Sequence, residues 1–76
     1  VIRELLKESG VAPSSPVDKL TVSGADIKEN TESLYVNGMI QAVGAGGDYT
    51  ISGNTITLSY DLTEDDIVYI TYIIDS

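Results

Sequence analysis

The sequence predicts a small, mainly β domain: an immunoglobulin-like antiparallel β-sandwich preceded by a short N-terminal helix and a proline-containing linker. Apolar and polar residues alternate in several short runs, which is the pattern of strands with one buried face. Asn-Gly at 37–38 and Gly-Asn at 53–54 are hairpin turn signals between such runs. Because no internal run has a helical period, six or seven short strands favour a sandwich over a barrel.

Size and composition exclude several classes of function. A chain of 76 residues forms one small domain, which buries only roughly 60% of its unfolded surface, so we expect self-association to add stability. The chain has no cysteine and no histidine, which removes disulfides, thiolate chemistry and the usual zinc and acid-base residues. The sequence therefore implies no cofactor, no metal and no enzymatic activity.

The charge of the chain limits its partners. Twelve acidic residues against four basic ones give a net charge of −8, which repels phosphate backbones and anionic bilayers. No apolar run approaches the roughly 20 residues that cross a bilayer. We therefore expect neither a nucleic acid nor a membrane as partner. Because the first residue is Val1, we also expect the chain to be part of a longer protein.

Residues 1–10 are predicted to form a helix, and residues 11–17 a linker. Val1, Ile2, Leu5 and Leu6 fall on one helical face. A helix below about 12 residues does not persist alone, so this one must dock on a neighbouring copy, on an upstream bundle, or on its own sandwich. Two prolines and two serines make the linker a semi-rigid spacer.

Residues 18–76 are predicted to form the sandwich. Residues 18–23 alternate as a first strand, and a polar loop follows over residues 24–33, with Ile27 at the edge of the core. Residues 34–60 supply two hairpins joined by a glycine loop. Residues 61–66 form an acidic turn anchored by Leu62, and residues 67–74 are apolar on both faces, as in a strand at the centre of a sheet or at an interface.

The two glycine-containing segments of this stretch differ in their predicted demands on the backbone. Gly38 lies in a tight turn that needs positive φ, whereas Gly46 lies in the longer glycine loop. On this basis Gly38→Val should destabilise the domain more than Gly46→Val.

Two sets of side chains are candidates for binding. The turn carboxylates Asp61, Glu64, Asp65 and Asp66 could hold calcium, but their spacing is not that of an EF-hand, and a solvated cap that blocks edge pairing is favoured. Of five tyrosines, Tyr49, Tyr60 and Tyr72 fall in register with core positions. Tyr35 and Tyr69 are the surface candidates, for a neighbouring chain or for a glycan.

The motifs LYVNGMIQ, DYTISGNTITLSY and the acidic turn before IVYITYI, within residues 34–73, resemble a small β module of tailed-bacteriophage structural proteins. Similar modules occur in tail fibres, head fibres and decoration proteins. In this chain the common proline-containing turn before the last strand is replaced by residues 61–66, and GAGG lengthens the middle loop. The resemblance implies no catalytic residue.

The expected function is that of a non-enzymatic virion module that attaches to, or projects from, a phage particle. Its partners would be other virion proteins and further copies of itself, with a trimer favoured by the resemblance. Val1, Ile2, Leu5, Leu6, Tyr35 and Tyr69 are the predicted partner-binding residues. The alternatives are a carbohydrate- or receptor-binding domain of a tail fibre, which would take a host-surface glycan, and a bacterial surface adhesin.

Overall fold

The computed structural model describes residues 1–23 and 26–75, and within them the chain is mainly β with no helix. Seven strands follow one another. They are β1 (Ile2–Lys7), β2 (Lys19–Thr21), β3 (Ser33–Val36), β4 (Met39–Ile40), β5 (Tyr49–Ser52), β6 (Thr55–Leu58) and β7 (Val68–Tyr72).

The strands form two antiparallel sheets. The four-stranded sheet has the order β1-β7-β3-β4, and the three-stranded sheet has the order β2-β6-β5. Buried side chains of both sheets and of the loops form one core, an arrangement consistent with a β-sandwich. Its members are Val22, Ile27, Leu34, Val36, Tyr49, Ile56, Leu58, Leu62, Val68, Ile70 and Tyr72.

Both predicted hairpin turns are confirmed. Asn37 and Gly38 connect β3 to β4 with φ values of 55° and 81°, the two positive angles of a type I′ turn. Gly53 connects β5 to β6 with a φ of 62°, and only this first turn residue is positive, as in a type II′ turn. These turns fix the register of each hairpin and place its alternate side chains on the core.

The position of the last strand is also as predicted. β7 lies between β1 and β3, and Val68, Ile70 and Tyr72 on its inner face are buried. Val68 and Ile70 pair directly with the buried β3 residues Val36 and Leu34. A strand with neighbours on both edges and a core on one face accounts for the apolar composition of this segment.

The predicted N-terminal helix is wrong, because residues 2–7 form β1. Ile2, Glu4 and Leu6 point to the interior, while Arg3 and Leu5 point outward, so the segment has the period of a strand. The helix would have been too short to stand alone, whereas the edge of β7 offers a row of backbone partners. Tertiary pairing therefore overrides a local pattern that fits both structures.

The loops hold two further predicted anchors. Ile27 is buried and bridges to Ile74, and Leu62 is buried under the acidic turn, where its N–H donates to the Val17 carbonyl at 2.9 Å. The predicted loop over residues 24–33 includes Gly24 and Ala25, which lie outside the described residues, as does Ser76 at the end of the predicted sandwich domain.

The predicted difference between Gly38 and Gly46 rests on a wrong premise. Gly46 has a φ of 83°, as positive as the 81° of Gly38, and an added Cβ would meet nothing within 4 Å at either position. The glycine loop is held in a defined shape, since the Gly47 N–H donates to the Gly44 carbonyl at 2.9 Å and the Asp48 N–H to the Ala42 carbonyl at 2.7 Å.

Gly38→Ala and Gly46→Ala should therefore lower the free energy of unfolding by similar amounts, about 1 kcal/mol each, because both force an L side chain into the left-handed region. Urea denaturation of the two variants checks this. A neutral Gly46→Ala variant would contradict it and would show that the loop relaxes to another shape.

Candidate interaction surface

The outward side of the four-stranded sheet, here called the tyrosine face, combines side chains from all of its strands. Direct cross-strand pairs join Leu5 to Tyr69, Tyr69 to Tyr35, and Tyr35 to Ile40. These residues alternate with the buried ones and so share one face. The members of the tyrosine face are Arg3, Leu5, Ser33, Tyr35, Ile40, Tyr69 and Thr71.

A stack of three side chains crosses the middle of the tyrosine face. The rings of Tyr35 and Tyr69 lie 4.8 Å apart with an interplanar angle of 13°. The Arg3 guanidinium carbon lies 4.8 Å from the centroid of the Tyr69 ring. Because β7 lies between β1 and β3, Arg3 and Tyr35 approach the Tyr69 ring from opposite sides. Aromatic pairs and cation–π contacts each contribute on the order of 1 kcal/mol.

Exposed aliphatic residues flank the stack at both ends. Leu5 is 50% exposed and Ile40 is 65% exposed. No member of the tyrosine face is acidic, although the chain has twelve Asp and Glu residues, and Arg3 is its one charged member. The face is therefore an apolar and aromatic area on an otherwise strongly acidic domain, with the composition of a protein contact surface.

The structure brings three of the six predicted partner-binding residues together. Leu5, Tyr35 and Tyr69 lie side by side on the tyrosine face. Val1 precedes β1 and is almost fully exposed. Ile2 and Leu6 instead point inward and pack against the core of their own chain.

Sequence reasoning missed Arg3 and Ile40. Had residues 2–6 been taken as a strand, period-2 alternation would have put Arg3 beside Leu5 on the outward face. Ile40 falls within the predicted hairpins of residues 34–60, and its pairing with Tyr35 follows from the two-residue turn at Asn37-Gly38.

Lys7 is a second feature that the sequence did not reveal. The register shifts between Leu5 and Lys7, so that Lys7 pairs with the inward residue Val68. This bulge turns the lysine from the outer to the inner side, where it is only 7% exposed. Its Nζ donates to the carbonyls of Glu8 at 3.0 Å, Glu64 at 2.9 Å and Asp66 at 2.7 Å.

The acidic turn is organised around Asp66. The Asp66 carboxylate accepts hydrogen bonds from the Thr63 N–H at 2.8 Å and from Asn37 Nδ2 at 2.8 Å. These bonds lower the pKa of the Asp66 carboxyl, and the bond from Thr63 has the larger effect. Asn37 Oδ1 in turn accepts from the Ile67 N–H at 3.0 Å, so the turn before β7 is tied to the turn after β3.

Glu4 links β1 to the rest of the domain from the inner side of the sheet. Its carboxylate accepts hydrogen bonds from the Ser23 N–H at 3.1 Å and from the Tyr72 hydroxyl at 3.2 Å. Burial, followed by the nearby Glu4 charge, raises the pKa of the Tyr72 hydroxyl. The hydroxyl therefore remains protonated and donates over the physiological pH range.

Comparisons with family models, with curated proteins and with solved structures give no match for this chain. Within residues 1–23 and 26–75, no group of three or more Asp or Glu residues is arranged to hold a metal ion. In the same part of the chain, no helix is long and apolar enough to span a bilayer.

Lys7→Met should lower the free energy of unfolding by about 2–3 kcal/mol, because the carbonyls of Glu64 and Asp66 lose a charged donor while the buried stem is kept. Lys19→Met is the matched control, since the Lys19 side chain is exposed and lies 4.0 Å from Asp18; it should change stability by less than about 0.5 kcal/mol. Equal losses in denaturant unfolding would contradict the role of Lys7.

Asp66 should make stability depend on acid pH. A lowered pKa means that the folded state binds fewer protons than the unfolded state in acid, so the stabilisation is present above about pH 4 and is lost as the pH falls through the depressed value. In Asp66→Asn the free energy of unfolding should fall less steeply as the pH is lowered below about 4. Asp65→Asn should leave this pH dependence unchanged, because the contact of Asp65 is made by its backbone carbonyl, which accepts a hydrogen bond from Ser9 Oγ. An identical pH dependence in both variants would refute this assignment.

Proposed function

We propose that this chain is a non-enzymatic structural module of a tailed-phage virion, as part of a fibre or as a capsid decoration, and that it joins its partners through the tyrosine face. The observation that carries the proposal is the acid-free aromatic stack of Arg3, Tyr69 and Tyr35, flanked by exposed Leu5 and Ile40. The motif string over residues 34–73 supports the placement in a virion.

The proposed fold is immunoglobulin-like, and the strand order supports it. In that fold one sheet contains the strands G, F, C and C′ in this order, and the other contains B, E and D. Here β7-β3-β4 correspond to F-C-C′, and β2-β6-β5 correspond to B-E-D. The N-terminal strand β1 takes the edge position of strand G, so the first strand of the chain completes the sheet that the last strand leaves open.

The proposed partners are other virion proteins and further copies of this chain, with a trimer implied by the resemblance. A domain with a charge of −8 repels its own copies unless they meet where carboxylates are absent. The tyrosine face meets this condition. Its rings are already ordered by stacking, which lowers the entropic cost of fixing them in a contact.

A receptor-binding domain of a fibre, or an adhesin, is the alternative. Sugar binding by tyrosine uses a free ring face, and both faces of the Tyr69 ring are occupied, by Arg3 and by Tyr35. This geometry favours a protein partner over a host-surface glycan. A glycan that binds the full chain and is lost in Tyr35→Ala would instead support the alternative.

Light scattering on the full chain should give a molar mass above that of a monomer, three chains if the trimer is correct. Ile40→Glu should lower this mass, because it puts a carboxylate on the tyrosine face at a solvent-exposed position that folding tolerates. Thr50→Glu, at an exposed position of β5 in the other sheet, is the control. A monomer at every concentration would exclude self-association, and equal masses in all variants would place the contact elsewhere.

The virion assignment is tested directly on particles. Tailed particles from the source organism are separated on a density gradient, and the fractions are analysed by mass spectrometry for peptides of this chain. The peptides should sediment with the particles after a high-salt wash. Their confinement to the soluble fractions would overturn the proposal.

A further inference from the structure

The edge of β7 that faces β1 forms a slot with a defined chemistry. β1 fills it through backbone pairing from Ile2↔Tyr72 to Lys7↔Val68. Inward side chains add specificity: Ile2 and Leu6 pack against the core, Glu4 accepts from Ser23 and Tyr72, and Lys7 donates into the acidic turn. Among the strands of the described residues, β1 pairs with β7 alone, so its backbone pairing consists of one strand and one slot.

The segment that leads from β1 to β2 is loosely attached. Most of residues 11–16 are exposed, and Val11 is 49% exposed. Open grooves of about 220 and 420 Å³ lie along the segment, where Leu6 and Leu20 meet residues 11–16. Its backbone hydrogen bonds to the domain lie at its ends, from the Gly10 N–H to the Glu64 carbonyl at 2.8 Å, from the Leu62 N–H to the Val17 carbonyl at 2.9 Å and from the Leu58 N–H to the Asp18 carbonyl at 2.7 Å. The backbone of residues 11–15 makes no such bond with the described residues.

The length of the segment allows β1 to reach another copy. Residues 8–18 connect the two strands, and eleven residues extend to at most about 36–40 Å. The domain measures 33 × 25 × 22 Å. An extended segment therefore spans from one domain to the slot of a neighbour in contact with it. Its prolines favour extended backbone and add stiffness.

We propose that β1 exchanges between copies of this chain, so that β1 of one copy occupies the β7 slot of a neighbour in the register seen within a single copy. Every contact of β1 is reproduced in the exchanged form, because the neighbour supplies the same slot. The proposal rests on the pairing of β1 with β7 and on the loose segment, and it is independent of the proposed function.

Concentration decides between the two forms. A strand tethered to its own slot has an effective concentration of order 1 mM, so dilute chains remain closed. Exchange competes when copies are held close together, as in an array or at millimolar protein concentration. The slot thus provides a link between copies that depends on their local density.

Single-cysteine variants of the full chain test the exchange, since the natural sequence has no cysteine. Arg3 and Thr71 are direct cross-strand partners, and such pairs have Cα atoms about 4.5–5.5 Å apart, within disulfide range. Arg3→Cys and Thr71→Cys are mixed at about 1 mM, the tether's effective concentration, and oxidised mildly. Peptide mapping then measures the disulfide between positions 3 and 71 of different chains, which the exchanged pairing brings within range.

The mixture should give several-fold more of this disulfide than the control mixture of Arg3→Cys and Ser33→Cys gives of a 3–33 disulfide, and its yield should fall on dilution. Ser33 lies on the same face as Thr71 but two strands from Arg3, so a face-to-face contact could reach it whereas exchange does not. The double variant Arg3→Cys/Thr71→Cys should form the bond within one chain at low concentration. A good yield in the double variant with only control yield in the mixture overturns the exchange. If the 3–71 disulfide forms neither in the double variant nor in the mixture, the β1–β7 register is wrong, and the proposal loses its basis.

Discussion

The structure depends on keeping both edges of β7 paired. This strand carries Val68, Ile70 and Tyr72 into the core, and an unpaired edge beside them would leave backbone groups buried without partners. β3 covers one edge and is positioned by its tight turn into β4. β1 covers the other edge, although it comes from the opposite end of the chain. The long separation makes β1 the element whose position depends most on tertiary contacts.

The placement of charged side chains also depends on the pairing of β1 with β7. The acidic turn that precedes β7 is stabilised by donors from three places in the sequence: Lys7, Asn37 and Thr63. The bulge in β1 is needed for this, because without it Lys7 would lie on the outer side of the sheet. The outer side of the four-stranded sheet remains free of carboxylates, since Glu4 of β1 points inward.

Local signals predicted the part of the fold that local geometry determines. The turns at Asn37-Gly38 and Gly53-Asn54, the inner position of β7 and the burial of Leu62 follow from turn chemistry and alternation. The N-terminal strand could not be predicted in this way, because the apolar residues of the segment 1–6 fit one face of a helix as well as they fit a strand. Only the open edge of β7 decides between the two structures. The bulge that buries Lys7 and the partner of Arg3 arise from the same long-range pairing, which no local pattern encodes. Tyr35 and Tyr69 were recognised because each alternates with core residues of its own strand.

The antiparallel pairing of β1 with β7 also has a mechanical consequence. Ile2 lies opposite Tyr72, so the outer ends of the two strands are at the same end of the pair. Tension applied between Ile2 and Tyr72 acts perpendicular to the two strands. Their hydrogen bonds therefore break one after another from this end, instead of resisting the force together. The domain should therefore open at low force from this corner, with β1 the first strand to leave the four-stranded sheet.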